Sequence, residues 1–324
     1  MNGALTPGSI SIRLYAGAPD AAGILTDLLE QARQADAAGF DGVTVSEHHG
    51  GFPGYLPNPL QMSAWVLEEC PRVWAGPGPL LLPLRPAALV AEEVAWLSVR
   101  FPGRVMLGVA PGSLEQDFTI AGSVLDDDLA GRFDAGLEVV ASALTGRADP
   151  PLAGDQALSA LAPGAVPVVA AAMSRAAVRR AARRGVGLLT DGLSRPERVR
   201  QLVEWYIDEG GTGPRVLTRW VWCGQQDPAR IAAEAARYAS YTPDGRRARF
   251  ADDNGTISGS AEQVAEGLLD AVAETGATVL NLRVHAMGVT ALEVLEQIVT
   301  LGAGVLPAVR SGWPKAVNEP AASI

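Results

Sequence analysis

Cysteine and histidine are scarce in this chain, with two of the first and three of the second in 324 residues. Cys70 and Cys223 cannot build a disulfide framework, and neither belongs to a Cys-x-x-Cys, so a reducing compartment is expected. Basic residues are also few: 26 Lys and Arg stand against 36 Asp and Glu, a formal net charge of −10. That deficit argues against nucleic acid and against an anionic membrane surface, both of which attract basic proteins. No apolar run reaches the roughly 18 residues that span a bilayer, so no membrane partner is expected. The opening "MNGALTPGSISIRLYAG" has no basic stretch followed by an apolar core, so no signal peptide is expected. A soluble, cytoplasmic protein is the expectation.

What is present is apolar. A hydrophobic fraction of 48% supplies a large core and excludes a disordered or fibrous chain. Eight short apolar segments read as strands: "SIRLYAG", "DGVTVSEHH", "RVWAGPGPLLL", "GRVMLGVAPG", "VPVVAAAMS", "VGLLTDG", "RVLTRWVWCG" and "TVLNLRVHA". Segments of helical period lie between them. In "ILTDLLEQARQADAAGF", Leu25, Leu28, Leu29, Ala32 and Ala35 form one stripe that Gly39 stops. "SAEQVAEGLLDAVAETG" opens with Ser260 and Gln263, a capping box. Strand–helix alternation implies a parallel sheet, and eight repeats imply closure into a (β/α)8 TIM barrel, one α/β domain over residues 1–324. An open Rossmann-like sheet is the rival, but no GxGxxG follows any strand. Two stretches, 146–165 and 241–259, exceed ordinary loop length. The second has little apolar residue content to anchor it and reads as a mobile lid. A flexible tail is expected from about residue 311.

Two of the three histidines stand together in "DGVTVSEHHGGFPGY". Strand alternation puts Thr44, Ser46 and His48 on one face, and Val43, Val45, Glu47 and His49 on the other. The last strand behaves alike, with Asn281, Arg283 and His285 sharing a face. Barrel enzymes collect their catalytic groups at the C-terminal ends of strands, so both faces mark that end as a site. Histidine is the usual proton-transfer residue near neutral pH. A metal site is not expected, because adjacent strand histidines face opposite ways and no His-x-His or His-Glu-x-x-His occurs. Phe52, Tyr55, Trp220 and Trp222 either line an apolar pocket or belong to the core.

The run "SEHHGGFPGYLPNPLQMSAWV" resembles the bacterial luciferase-like family of flavin and deazaflavin oxidoreductases. The resemblance continues through "LLLPLRPAALVAEEVAWLSVRFPGRVMLGVAPGSLEQDF", "AAMSRAAVRRAARRGVGLL", "GSAEQVAEGL" and "LEQIVTLGAGVLP", nearly the whole chain. It implies a luciferase-like barrel with His48 beside the flavin ring as the proton-transfer group, and Glu47 and His49 as its catalytic neighbours. It implies cofactor contacts from Gly78, Pro79, Ala110, Met173, Ser174 and Arg175, with Ser174 on the flavin phosphate. Ser174 also closes a strand and opens a helix, so from its position alone it is equally a plain helix cap. The family's strained peptide at the end of strand three corresponds to Gly78–Pro79, expected to be cis. "GVAPG" places Ala110 and Pro111 where relatives often carry Gly, Cys or a basic residue, and "PLRPAAL" shifts the family's proline by one position. The activity implied is a monooxygenase using reduced FMN and O2 on a small organic molecule, with a separate reductase supplying the flavin. The alternatives are a hydride-transfer enzyme dependent on the deazaflavin coenzyme F-420 and a non-catalytic flavin-binding homologue. A homodimer through the helices "PLQMSAWVLEEC" and "AALVAEEVAWLSVR" is implied as well.

Overall fold

The computed structural model describes residues 3–240 and 256–314. Along the chain run β1 (Ile10–Arg13), α1 (Ala21–Ala38), β2 (Gly42–Val45), α2 (Pro59–Glu69), β3 (Trp74–Pro77), β4 (Leu80–Leu81), α3 (Ala87–Arg100), β5 (Leu107–Ala110), α4 (Glu115–Ile120), α5 (Leu129–Ala143), α6 (Gln156–Ala160), β6 (Val168–Ala171), α7 (Arg175–Arg183), β7 (Gly187–Leu189), α8 (Pro196–Asp208), β8 (Arg215–Cys223), α9 (Pro228–Ser240), β9 (Thr256–Gly259), α10 (Ala261–Thr275), β10 (Val279–Arg283), α11 (Ala291–Thr300) and α12 (Leu306–Gly312). The named strands pair in parallel in the order β3-β2-β1-β10-β8-β7-β6-β5-β4. Ala75 closes the ring, donating its N–H to Arg104 O at 2.9 Å and accepting from Met106 N–H at 3.2 Å. The result is a TIM barrel with helices outside.

The helix stops and starts follow local chemistry. Gly39 ends α1 at φ 87°, a left-handed turn that costs glycine little. Ser260 and Gln263 form the expected capping box of α10.

Several expectations need correction. "RVWAGPGPLLL" is two strands, β3 and β4, because the chain breaks at Gly78–Pro79, whose peptide is cis. The segment 241–259 is not wholly a loop. Its last four residues form β9, which continues the sheet beside the C-terminal half of β8, Trp220 facing Thr256 and Cys223 facing Gly259. Ile257 anchors it against Gly267 of α10, where even one added carbon would come within 2.6 Å. Residues 241–255, and with them the lid expected there, lie outside the described residues. The stretch 146–165 carries α6, capped by Asp155, which accepts from Ala157 and Leu158 N–H. The buried Ala157 and Leu158 seat that helix against α3, so the segment is fastened down. At the C-terminus, α12 runs past residue 311 to Gly312, and residues 315–324 lie outside the described residues.

Contrary to the expectation of no such run, the stretch Ala291–Gly312 is long and apolar enough to cross a membrane, with mean hydropathy 1.5. In the fold its stripe Val294, Ile298, Leu301, Val305, Leu306 and Val309 is buried, packed against α1 and α10. Barrel packing accounts for that apolar face.

The barrel interior is layered. Its N-terminal end is filled by Leu5, Trp74, Met106, Val169, Val216 and Val279. Gly42 lets the Trp74 ring lie flat against β2, since a Cβ there would meet the indole at 2.1 Å. Above this plug sits a polar layer. Ser11 and Thr44 donate hydroxyls to Asn281 Oδ1 at 3.2 and 3.1 Å. The strand ends above it form the mouth.

Candidate active site

A cavity of about 330 Å³ opens at the C-terminal ends of the strands. It exists because three staves in a row, β3–β4, β5 and β6, end in small residues: Gly78, Ala110 and Ala171 all line it. Pro79, Leu81, Met173 and Leu189 complete an apolar wall, while Ser46, Thr218 and Asn281 face it with polar atoms. Mostly apolar lining with a few placed polar groups is the ordinary character of a small-molecule site.

His48 lies in this wall, on the inward face that alternation assigned to it. Its Nδ1 stands 2.7 Å from Asp117 Oδ2, and Asp117 Oδ1 accepts from His49 N–H at 2.8 Å. A carboxylate can only accept, so Nδ1 is the donor in this contact and Nε2 is the ring atom left to exchange a proton. Phe52 and Tyr55 cover the imidazole, with ring centroids 4.7 and 4.4 Å away.

Glu47 is buried and turned to a different task. Its carboxylate accepts from Leu81 N–H at 2.5 Å, from Arg85 Nη2 at 2.9 Å and from His49 Nε2 at 3.2 Å. It ties β4, the start of α3 and the histidine loop together. His49 does not line the cavity; it braces Glu47. Of the residues that the resemblance assigned to the cofactor, Gly78, Pro79, Ala110 and Met173 are in the wall, whereas Ser174 and Arg175 sit outside it, exposed. Ser174 Oγ caps α7 through Ala177 N–H at 3.3 Å, and Arg175 lies 5.7 Å from the Trp205 ring. Tyr55 lines the cavity, Trp220 is buried, and Trp222 is outside the wall.

His285 is buried just past the end of β10, outside the cavity wall, stacked on Tyr15 at 4.3 Å, its Nε2 accepting from Arg283 Nη2 at 3.0 Å. Burial, reinforced by the cations Arg283, Arg13 and Arg237, holds its pKa well below the ordinary histidine value. It stays neutral when folded but binds a proton when unfolded. Stability is therefore fully present above pH about 6.5 and falls below it, at a slope approaching 1.4 kcal/mol per pH unit. Urea unfolding between pH 7 and 5 should show a smaller loss for His285→Gln than for the parent; equal losses would count against the neutral histidine.

Sequence reasoning missed Asp117. It sits on a single-turn helix beside Phe118, and only its burial next to the histidine loop distinguishes it. Arg13 was missed too, although alternation in "ISIR" puts Ser11 and Arg13 on one face, which would have found it.

With this geometry in view, the chain can be set beside known proteins. Residues 5–279 match the luciferase-like monooxygenase family. The chain belongs to that family. Among curated relatives it is 36% identical over 102 residues to the F420-dependent glucose-6-phosphate dehydrogenase of Kribbella flavida, 30% of each chain. It is 32% identical over 88 residues to the 3,6-diketocamphane 1,6-monooxygenase of Pseudomonas putida, 27% of this chain and 23% of that one. The match thus spans under a third of these relatives' length. Among solved structures, the monooxygenase RslO1 of Streptomyces bottropensis superposes with a TM-score of 0.74 at 20% identity, over 92% of this chain and 99% of that one. An F420-dependent secondary alcohol dehydrogenase with an F420-acetone adduct gives 0.72 at 18%, over 95% and 99%. At such identities the superpositions establish the luciferase-like barrel.

Proposed function

We propose that this chain is the oxygenating component of a flavin monooxygenase, taking reduced FMN from a separate reductase and using O2 on a small organic substrate. The observation that carries it is the His48–Asp117 pair at the wall of the cavity. The cavity suits a planar ring system: Gly78, Ala110 and Ala171 leave a hollow that larger side chains would fill, and Leu81, Met173 and Leu189 provide apolar faces. Gly78, Pro79, Ala110 and Met173 would hold the ring, with Ser174 and Arg175 outside the wall for its phosphate arm. Bound reduced FMN would supply the electrons that activate dioxygen. The chain's own residues do the rest. Asp117 fixes the imidazole of His48, whose Nε2 takes or returns a proton at the substrate. Phe52 and Tyr55 cover that imidazole and keep water from it.

The same cavity and histidine suit hydride transfer with a deazaflavin, a reading favoured by the F420-dependent relative from Kribbella flavida. Anaerobic titration with reduced FMN and with reduced deazaflavin, followed by air, separates the two. FMN binding with oxygen uptake is expected. Deazaflavin binding without oxygen uptake would replace it with hydride transfer, and binding without turnover would leave a flavin-binding homologue.

A homodimer belongs to this proposal. Trp65 on α2 and Leu89, Trp96 and Val99 on α3 are 41–53% exposed, more apolar surface than one barrel wall needs to show. A second copy covering them should bury more than about 1,000 Å2. Light scattering should give twice the chain mass, falling to the single mass in Leu89→Arg; a single mass for the parent would sink the idea.

A further inference from the structure

The floor of the cavity carries donors that the fold leaves unused. Val279 and Val216 belong to the plug at the closed end of the barrel. Two residues on, Asn281 and Thr218 share their faces and sit abreast in the register of β10 and β8. Both line the cavity, at 2% and 7% exposure. They are the polar groups that lie directly above the plug.

The Asn281 amide has a fixed orientation. Its Oδ1 accepts from the Thr44 hydroxyl at 3.1 Å and faces the Ser11 hydroxyl at 3.2 Å. Among the described residues, Oδ1 is the acceptor for the Thr44 proton. Turned over, the amide would offer Thr44 a donor and strand that proton in a buried layer. Nδ2 is thus the atom left for the cavity, with two N–H donors that have no partner among the described residues. The Thr218 hydroxyl likewise has no hydrogen-bond partner among the described residues. By contrast, the hydroxyls of Ser46 and Thr190 in the same wall are engaged by the carbonyls of Gly78 and Val216.

Water can satisfy the free donors while the cavity stands open. An occupant that reaches the floor displaces that water, and an apolar one would leave buried N–H and O–H groups unmatched. A carbonyl oxygen repairs the loss, because it has two lone pairs for two donors.

We infer that Asn281 and Thr218 anchor the deepest occupant of the barrel by a carbonyl oxygen, with Asn281 Nδ2 and Thr218 Oγ1 donating to it. The oxygen belongs to the ring of a flavin or to the substrate, and experiment separates these sources. The link to a flavin rests on the proposed function; the donor pair itself rests on the strand register and the Thr44 bond.

Asn281→Asp is the discriminating variant. It keeps an oxygen for Ser11 and Thr44 and replaces the N–H donors with an acceptor. Thr218→Val keeps the shape and removes the hydroxyl, and Thr218→Ser restores it. Lumiflavin, which has the ring carbonyls without the phosphate arm, is titrated into the full chain at pH 8 by fluorescence quenching. Cyclohexanone and cyclooctanone, each against the exocyclic-methylene hydrocarbon of the same ring, are compared by saturation-transfer NMR. Those comparisons are made without cofactor and then with saturating oxidised FMN. In one arm the parent should bind about 10- to 100-fold tighter than Asn281→Asp, with Thr218→Val between them and Thr218→Ser near the parent. A loss confined to lumiflavin assigns the oxygen to the ring, and a loss of ketone preference assigns it to the substrate. The inference is overturned if Asn281→Asp and Thr218→Val change neither, or if no probe binds the parent. If Asn281→Asp does not fold, Thr218→Val, which leaves the Thr44 bond untouched, decides alone. Ketone preference in a chain that binds neither FMN nor deazaflavin would keep the anchor and remove the flavin reading. FMN binding that neither variant alters, with no ketone preference, would do the reverse.

Discussion

His48→Gln should cut turnover by roughly 10²–10⁴, the usual worth of a positioned acid–base group. Glutamine is the informative replacement because it keeps a donor for Asp117 while removing the titrating nitrogen. His48→Ala should lose the same activity and also about 1–3 kcal/mol of stability, since it strands one oxygen of the buried Asp117. A rim histidine without such a partner would have left stability near normal. His49→Ala is the control. It sits outside the cavity, so its effect on turnover should be small while Glu47 loses a neighbour. Steady-state rates with a supplied source of reduced flavin, beside urea unfolding of the same variants, give both readings. If His49→Ala abolished turnover and His48→Gln left it intact, the proton-transfer role would belong to the other histidine.

Glu47→Ala should be the most destabilising single change near the site. The substitution orphans the Leu81 N–H and leaves the Arg85 guanidinium without its buried partner. Breaking a buried pair costs roughly 3–5 kcal/mol, and the lower end applies because Arg85 keeps part of its surface in water. The urea midpoint should fall clearly. Cofactor affinity should weaken with it, because Leu81 and Pro79 lose their tie to the histidine loop. A variant with parental stability and no activity would instead make Glu47 a participant in the chemistry, the role that family resemblance alone suggested.

These two residues show how far the sequence could be read. Strand alternation placed His48 inward and repeat counting found the barrel, because both depend on local periodicity that survives in one dimension; Glu47, assigned to the opposite face, nevertheless reaches the cavity wall as well. The expected cis peptide at Gly78–Pro79 was legible through resemblance. Asp117 was not legible. Its partner lies 69 positions away, and nothing in "SLEQDF" tells which acid is buried. β9 was hidden for a related reason: four residues, two of them Ser and Gly, gain strand structure only from β8 beside them. The polar layer that joins Ser11 to Asn281 required knowing that β1 and β10, far apart in the chain, are neighbours in register.

The plug of Leu5, Trp74, Met106 and their neighbours leaves the barrel open at one end only. Such a shaft is a queue with a single door. Whatever occupies the bottom must arrive before whatever sits above it, and cannot depart until the upper guest has gone. A ring seated against Gly78 and Ala110 would therefore load before its substrate and leave after the product. Initial-rate patterns should be those of a compulsory order, and excess substrate should trap the spent cofactor inside.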